Sequence, residues 1–405
     1  MRPRPIHALE APLPSWERGG GEGAHATDPS PQPSPARAEG AHLRSLVPAR
    51  TAPPPAPAWQ RWRRALWGSP WQAAATLLLG ALLLWGGAAA LRWGVVNAVW
   101  APDVTQCQAV RGQGACWGVV AEKHRVLLFG RYPHAEQWRA LLASAVLVAM
   151  LAASGWRRCW RPALGVAWGL ATALVLVLMG GGVAGLAPVP TELWGGLPLT
   201  LLLSVLGIVF AFPLAIGVAL GRRSRLPALR SLCVAYVELV RGVPLISVLF
   251  MASFMFPLLL PPGRSPDVLL RVLAGIVLFA AAYMAETVRG GLQSVPRGQT
   301  EAARALGLTR WQVQRHVVLP QALAAVVPGL LNSFISIFKD TSLVTIVSLY
   351  ELTGALSLAL NADADWRPFK LEAYLFIAAI YFAGCHAMSR YSLWIEAHLA
   401  QGRAR

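Results

Sequence analysis

Charged residues inside apolar stretches are the first candidates for chemistry in this sequence. Glu238 and Arg241 stand three positions apart, so they share one face of a helix and can pair there. A charge near the middle of a bilayer costs about 2.5–3.5 kcal/mol on insertion scales, so such residues normally face a cavity or a partner. We expect Arg241 to contribute to a path for a carboxylate. A salt bridge that fixes helix packing is the alternative, and we favour it for Glu238.

A second polar group interrupts the apolar stretch 320–360. One straight helix of this length would be about 60 Å long at 1.5 Å per residue, so we expect a break in it. Free backbone groups at an interrupted helix can bind the ends of a ligand, although a polar helix end at the membrane surface is an equal alternative. The polar run at which we place the break is Lys339, Asp340, Thr341 and Ser342.

The sequence lacks the residue patterns of common catalytic and metal sites. None of its three lysines follows a glycine, which excludes the Gly-Lys-Ser/Thr end of a phosphate-binding loop. It has no His-Glu-x-x-His pattern, and no histidine has a second metal ligand at a suitable spacing. We therefore expect no catalytic residue, metal or bound cofactor, and no ATP hydrolysis by this chain alone.

The composition indicates a membrane protein. Of the 405 residues, 55% are hydrophobic and 14% are charged, whereas soluble domains have about 25% charged residues. A net charge of +17 would suit nucleic-acid binding in a soluble protein. In so apolar a chain, arginines on the cytoplasmic side of a bilayer explain the charge better. We expect a lipid bilayer as a partner and no nucleic acid.

Eight apolar segments are long enough to cross a bilayer, which needs roughly 20 residues per helix. Arginine clusters between them fall on one side if all eight cross, which predicts cytoplasmic termini. The loop 92–137 is the exception, because it places basic residues on the outer side. The predicted fold is therefore an all-α integral membrane protein. Its spans are 72–91, 138–155, 163–186, 197–220, 229–260, 268–287, 320–360 and 372–394.

Two cysteines, Cys107 and Cys116, lie nine positions apart in this outer loop. In an oxidising periplasm they can pair, and two free thiols are an equal alternative.

The stretch 286–320 carries the most specific signal. It predicts two short helices, the first capped by Thr300 and ended by Gly307 in a left-handed conformation. Thr309 and Gln312 have the spacing of a capping box for the second helix. A compact, well-capped helical pair on a loop indicates a docking element.

The spacing of residues in this stretch resembles the EAA loop of ABC transporter permeases. The family pattern is Glu-Ala-Ala, three residues, Gly, nine residues, Ile, one residue and Leu-Pro; the one departure here is Val317 in place of isoleucine. In that family the loop forms coupling helices that sit in a cleft of an ATPase subunit. The resemblance implies the same role for 300–316. The matching residues are Glu301, Ala302, Ala303, Gly307, Leu319 and Pro320.

Residues 60–400 resemble the polar amino-acid branch of that family, the histidine/glutamate/glutamine permeases. The segments 238–245, 281–296 and 339–343 carry this likeness. The three extra spans look like those of general L-amino-acid transport permeases. The resemblance divides the chain into a Pro/Gly-rich disordered tail 1–60, three extra spans 61–190 with the outer loop 92–137, and a five-helix type I permease core 195–396 with the coupling loop 289–319.

The resemblance implies the permease subunit of an ATP-driven, binding-protein-dependent importer of L-amino acids in the bacterial inner membrane. The implied partners are a dimer of cytoplasmic ATP-binding subunits that holds ATP and Mg, a second permease subunit and a periplasmic amino-acid-binding protein. An ion- or proton-coupled secondary amino-acid transporter is the alternative, but it leaves the loop at 300–316 without a role. A membrane-bound enzyme would need a cluster of catalytic residue types that the sequence lacks.

Overall fold

The computed structural model describes residues 57–261 and 263–403, which form helices and connecting segments with two isolated β-bridges. Most of the predicted tail 1–60 lies outside these residues, and its last three are already helical. The helices are α1 (Ala58–Trp67), α2 (Pro70–Leu91), α3 (Val104–Ala109), α4 (Gly118–Phe129), α5 (Gln137–Gly155), α6 (Ala163–Gly180), α7 (Gly196–Gly221), α8 (Pro227–Arg241), α9 (Leu245–Phe250), α10 (Val268–Ser294), α11 (Arg297–Ala305), α12 (Leu319–Asp340), α13 (Leu352–Asn361) and α14 (Lys370–Arg403).

Seven helical stretches within the described residues are long and apolar enough to cross a membrane. A bent pair, α8 with the continuation of α9 to Leu258, makes up to eight if it counts as one span. The predicted all-α membrane fold is confirmed, while the domain boundaries at 61–190 and 195–396 stay predictions. The seven stretches are Pro70–Val96, His134–Gly155, Ala163–Gly180, Gly196–Gly221, Val268–Ser294, Arg310–Val347 and Arg367–His398.

The chain divides into two compact units, of which the first ends at Ala81 and the second comprises Leu82–Arg405. Within the first unit, the Thr76 hydroxyl donates a hydrogen bond to the Leu66 carbonyl at 2.9 Å. This bond ties the start of α2 to the end of α1.

Helix α10 is central to the second unit, because it packs along both α7 and α12. Small residues allow the close approach: a Cβ on Gly291 would lie 2.5 Å from the Ala322 carbonyl oxygen. Such contacts are the usual way for membrane helices to associate, since lipid provides no hydrophobic drive between them. Helix α14 packs on the other side of α12.

Polar contacts of the second unit gather at two opposite ends of its helices. At what we name the disulfide end, α4 and the segment after α13 meet through Lys123 and Asp363, 2.8 Å apart. At the loop end, which bears residues 295–318, the Arg223 Nη1 donates to the Leu292 carbonyl at 2.8 Å. Successive long helices therefore run in opposite directions, as crossings joined by short loops must.

Two spans are interrupted. A bend of 105° separates α8 from α9 at Gly242–Pro244, where proline removes a backbone donor and fixes its own φ. Helix α12 ends at Asp340, inside the predicted break, and a 3₁₀ helix Thr341–Val347 follows it.

Candidate functional site

The first half of the coupling loop is α11, whose N-cap position is Pro296. The prediction that Thr300 caps this helix is wrong, because the helix begins one turn earlier and encloses Thr300. The predicted end is confirmed: Gly307 has φ +82°, a conformation that side chains with a Cβ resist. Its amide donates to the Arg304 carbonyl at 2.9 Å, and the next amide reaches back to Ala303 at 3.3 Å. These two bonds form a Schellman ending.

The second half of the loop begins with the predicted capping box. The Thr309 hydroxyl accepts from the Gln312 amide at 3.4 Å, and the Gln312 side-chain oxygen accepts from the Thr309 amide at 2.8 Å. The chain then runs through a wide helical turn, Val313–Val318, straight into α12. Pro320 lies in the first turn of α12, where its missing N–H removes no helical hydrogen bond.

The coupling loop has a buried side and an exposed side. Its buried side chains join the apolar core, whereas Leu306 is 82% exposed and Trp311 is 64% exposed. Exposed apolar residues beside charged ones on an ordered element are typical of a protein-docking surface. Ala303, Val313 and Val318 are buried, and Glu301, Ala302 and Arg304 are exposed.

Glu238 and Arg241 do not form the predicted pair within the described residues. Glu238 instead lies 3.1 Å from Arg222, which reaches over from the end of α7. Arg222 also pairs with Glu286 at 2.8 Å, and Glu286 holds Arg289 as expected. The helix-internal pair loses because one guanidinium has five N–H donors and can serve two carboxylates at once.

A cavity of about 340 Å³ opens between α9, α10 and α12. Its polar wall follows one face of α12, since Ser333 and Ser336 and then Asp340 recur at three or four residues. Opposite them stands Tyr283, and the Arg241 guanidinium lies 5.4 Å above its ring. The lining residues from α12 are Asn332, Ser333, Ser336, Ile337 and Asp340, and those from α9 and α10 are Leu245, Ile276, Phe279, Ala280 and Tyr283.

Of the four residues at the predicted break, Asp340 alone is among those that line this cavity. Thr341 is fully buried, and its hydroxyl donates to the Phe338 carbonyl at 2.8 Å, which closes the end of α12. Lys339 is exposed away from the cavity wall, and Ser342 does not reach it. Sequence reasoning missed Asn332, Ser333 and Ser336, although polar residues at helical spacing in an apolar span were a usable signal.

Comparison with known proteins now identifies the family. The family of binding-protein-dependent transport system inner membrane components matches residues 211–401. The inner membrane amino-acid ABC transporter permease YhdY of Escherichia coli is 44% identical over 77% of this chain and 85% of that protein. The permease BztC of a glutamate/glutamine/aspartate/asparagine transport system in Rhodobacter capsulatus is 35% identical over 86% of this chain and 96% of that protein. The chain belongs to this family of ABC transporter permeases.

A solved structure of an amino-acid ABC transporter with histidines is 29% identical to the permease, with a TM-score of 0.44, over 49% of this chain and 90% of the solved one.

The permease also contains a buried carboxylate that sequence reasoning missed. Glu351 is fully buried at the disulfide end, where it caps α13 by accepting from the Thr353 and Gly354 amides at 2.8 and 3.0 Å. Its other oxygen accepts from the Tyr381 hydroxyl at 2.7 Å. The hydroxyls of Thr200 and Thr345 complete the set. One carboxylate therefore joins α7, the 3₁₀ helix, α13 and α14.

The outer loop of the permease is organised around a disulfide between Cys107 and Cys116, whose Cα atoms are 5.3 Å apart. The Cys116 amide donates to Glu372 at the start of α14, at 3.0 Å. The disulfide hairpin is thereby attached to the last span.

Metal ligands do not cluster in the described part of the permease, where no three side chains of His, Cys, Asp or Glu are grouped suitably.

Proposed function

We propose that this permease is the membrane-spanning subunit of an ATP-driven, binding-protein-dependent importer of L-amino acids in the bacterial inner membrane. The observation that carries the proposal is the coupling loop, whose full family spacing lies on an ordered helical pair with an exposed apolar side. The names of the two relatives support amino acids as substrates.

The loop end faces the cytoplasm in this proposal, with both termini on that side. There α11 and the turn after it dock on a separate ATP-binding subunit, one of a dimer that holds ATP and Mg. A second permease subunit completes the path, and a periplasmic binding protein delivers substrate at the disulfide end. Glu301, Ala302 and Gly307 belong to the docking side, while Leu319 and Pro320 join the loop rigidly to α12.

Coupling requires that the ATPase state and the gate be energetically linked. Helix α12 begins at the loop and ends at the cavity wall, so a displacement of the loop reaches Asp340 along one continuous helix. Because α12 also packs on α10 and α14, its movement changes the opening between these helices.

The cavity of α12 is the proposed substrate path. The Asp340 carboxylate offers a partner for an α-ammonium group, and serine hydroxyls with the Asn332 amide offer neutral hydrogen bonds. Arg241, stacked near Tyr283, is the nearby cation for a carboxylate. Glu238 has its charge matched by Arg222, so its role in the path is structural. Lys339, Thr341 and Ser342 have no part in the cavity wall in this proposal.

The deciding experiment is affinity purification of the full-length permease from gently solubilised membranes, followed by an ATPase assay of the eluate. We expect ATPase activity with the native protein and its loss when Glu301→Ala is combined with Gly307→Asp. Gly298→Ala is the matched control, since Gly298 lies in α11 with open space around its Cα. A folded native permease that never brings an ATPase would support the ion-coupled carrier instead.

The substrate path has its own test. Asp340→Asn should lower amino-acid uptake by about tenfold, because a charge-assisted hydrogen bond becomes a neutral one, while the ATPase still co-purifies. Lys339→Gln is the control, since it removes a neighbouring charge outside the cavity. Equal uptake in the Asp340 variant and the native protein would contradict the path.

A further inference from the structure

A second cavity, of about 380 Å³, lies at the loop end and differs from the first in being strongly basic. Three helices contribute to it: the end of α7, the start of α8 and the end of α10. Its lining residues are Arg222, Arg223, Arg230, Val234, Arg289 and Gln293.

Helical spacing explains why these residues converge. Arg230 and Val234 are four residues apart on α8, and Arg289 and Gln293 are four apart on α10, so each pair lies on one helix face. The two faces point at a common space, which the first residues after α7 close.

The charges of this cavity do not balance. Its four guanidinium groups meet two carboxylates, Glu238 and Glu286, and both of these pair with Arg222. Glu286 additionally holds Arg289, so the carboxylates leave Arg230 without an ion-pair partner among the described residues. Arginines that share a cavity repel one another unless an anion joins them. The excess is two positive charges.

Guanidinium donors also remain available. Arg223 uses one nitrogen on the Leu292 carbonyl, and a guanidinium has five N–H donors in all. Their planar fork matches the oxygens of a phosphate, which accepts two parallel hydrogen bonds from one arginine.

We propose that this basic cavity binds a phosphate group, carried by an anionic phospholipid of the leaflet around the loop end. The apolar surface beside the cavity favours the lipid over free phosphate: on α8, Leu226 is 66%, Leu229 is 42% and Leu232 is 68% exposed. Acyl chains would cover these leucines while the headgroup enters between the arginines. Basic pockets between membrane helices on the cytoplasmic side are known to take lipid headgroups.

The test uses the assembled transporter in lipid nanodiscs, with native mass spectrometry to count retained phosphatidylglycerol and phosphatidylcholine. The variant combines Arg223→Gln with Arg230→Gln, which leaves the ion pairs of Arg222 and Arg289 intact. We expect phosphatidylglycerol binding to weaken about fivefold for each arginine removed, with phosphatidylcholine unaffected. Arg225→Gln is the matched control, because it removes one charge from the same loop outside the cavity. An unchanged thermal midpoint shows that the variants remain folded.

Inorganic phosphate provides the second arm. Loss of bound phosphatidylglycerol on adding millimolar phosphate, with the same dependence on the two arginines, would assign the cavity to free phosphate and keep the phosphate chemistry. Equal retention of both lipids, with no effect of phosphate or of the double variant, would overturn the proposal. So would cross-linking of a cysteine placed at Arg230 to another subunit, since a protein would then fill the cavity.

Discussion

Glu351 shows how much a single side chain can organise in this permease. It accepts five hydrogen bonds from four elements that are far apart in the sequence. A carboxylate can accept them all because it is an acceptor with about four lone-pair sites.

Glu351→Gln therefore puts an NH₂ group against donors. We expect it to destabilise the protein by about 1–3 kcal/mol, the penalty for a buried polar group left unmatched. The measurement is the thermal midpoint of the purified permease. Tyr381→Phe, which removes only one donor, should lower it less.

Glu192→Gln serves as the control, because Glu192 is exposed and the same change of group should leave the midpoint unaltered there. Equal midpoints for the Glu351 variant and the native protein would contradict the network.

Single residues also show where sequence reasoning ends. The left-handed Gly307 and the box of Thr309 and Gln312 could be predicted, because these depend on neighbours within a few positions. The partner of Glu238 could not, since Arg222 arrives from another helix and outcompetes Arg241. Glu351 had no signal either, because its partners meet only after the helices pack.

At the level of elements, the eight apolar segments were readable because a bilayer imposes both length and composition on a helix. The bend between α8 and α9 was only partly so: Gly242 and Pro244 indicate a weak point, whereas its 105° follows from packing. Thr300 was misplaced because Pro296 starts α11 a turn earlier than the capping preference indicated.

The coupling loop makes a prediction at this scale. Gly307→Val should abolish ATPase-dependent uptake, because a β-branched residue is strongly disfavoured at φ +82°. Gly307→Asn should retain more uptake, since asparagine tolerates the left-handed region.

Both variants should insert into the membrane normally, as judged by protease protection, and Gly298→Ala should behave as the native protein. If the valine and asparagine variants transport equally well, the shape of the loop is not what couples it.

The contact of α4 with the segment after α13 predicts a pH effect. The hydrogen bond from the Lys123 ammonium holds the pKa of Asp363 below its usual 3.8. A lowered pKa stabilises the folded state above the unfolded-state value and loses that contribution as the pH falls through the folded-state value.

The thermal midpoint of the native protein should thus drop more steeply below about pH 4 than that of Asp363→Asn. Parallel curves for the two proteins would show that the pair contributes nothing to stability at this site.

For the whole molecule, the disulfide hairpin decides how firmly the outer loop is held. A double change, Cys107→Ser with Cys116→Ser, should destabilise this loop by about 2–3 kcal/mol through the entropy of a short closed loop. Limited proteolysis of the segment 97–133 measures the effect. Cys385→Ser is the control, because Cys385 is a free cysteine. Identical cleavage rates with and without the two cysteines would contradict it.

The hydrogen bond between Cys116 and Glu372 also sets an order of assembly. Its partners are 256 residues apart, so at 5–20 residues per second the ribosome needs on the order of 10–50 s to supply the second after the first. During that interval the hairpin emerges, can oxidise and must wait without its anchor. Biogenesis of the outer loop is consequently complete only after the final span has been inserted, so a nascent chain truncated before α14 should display a hairpin open to proteases.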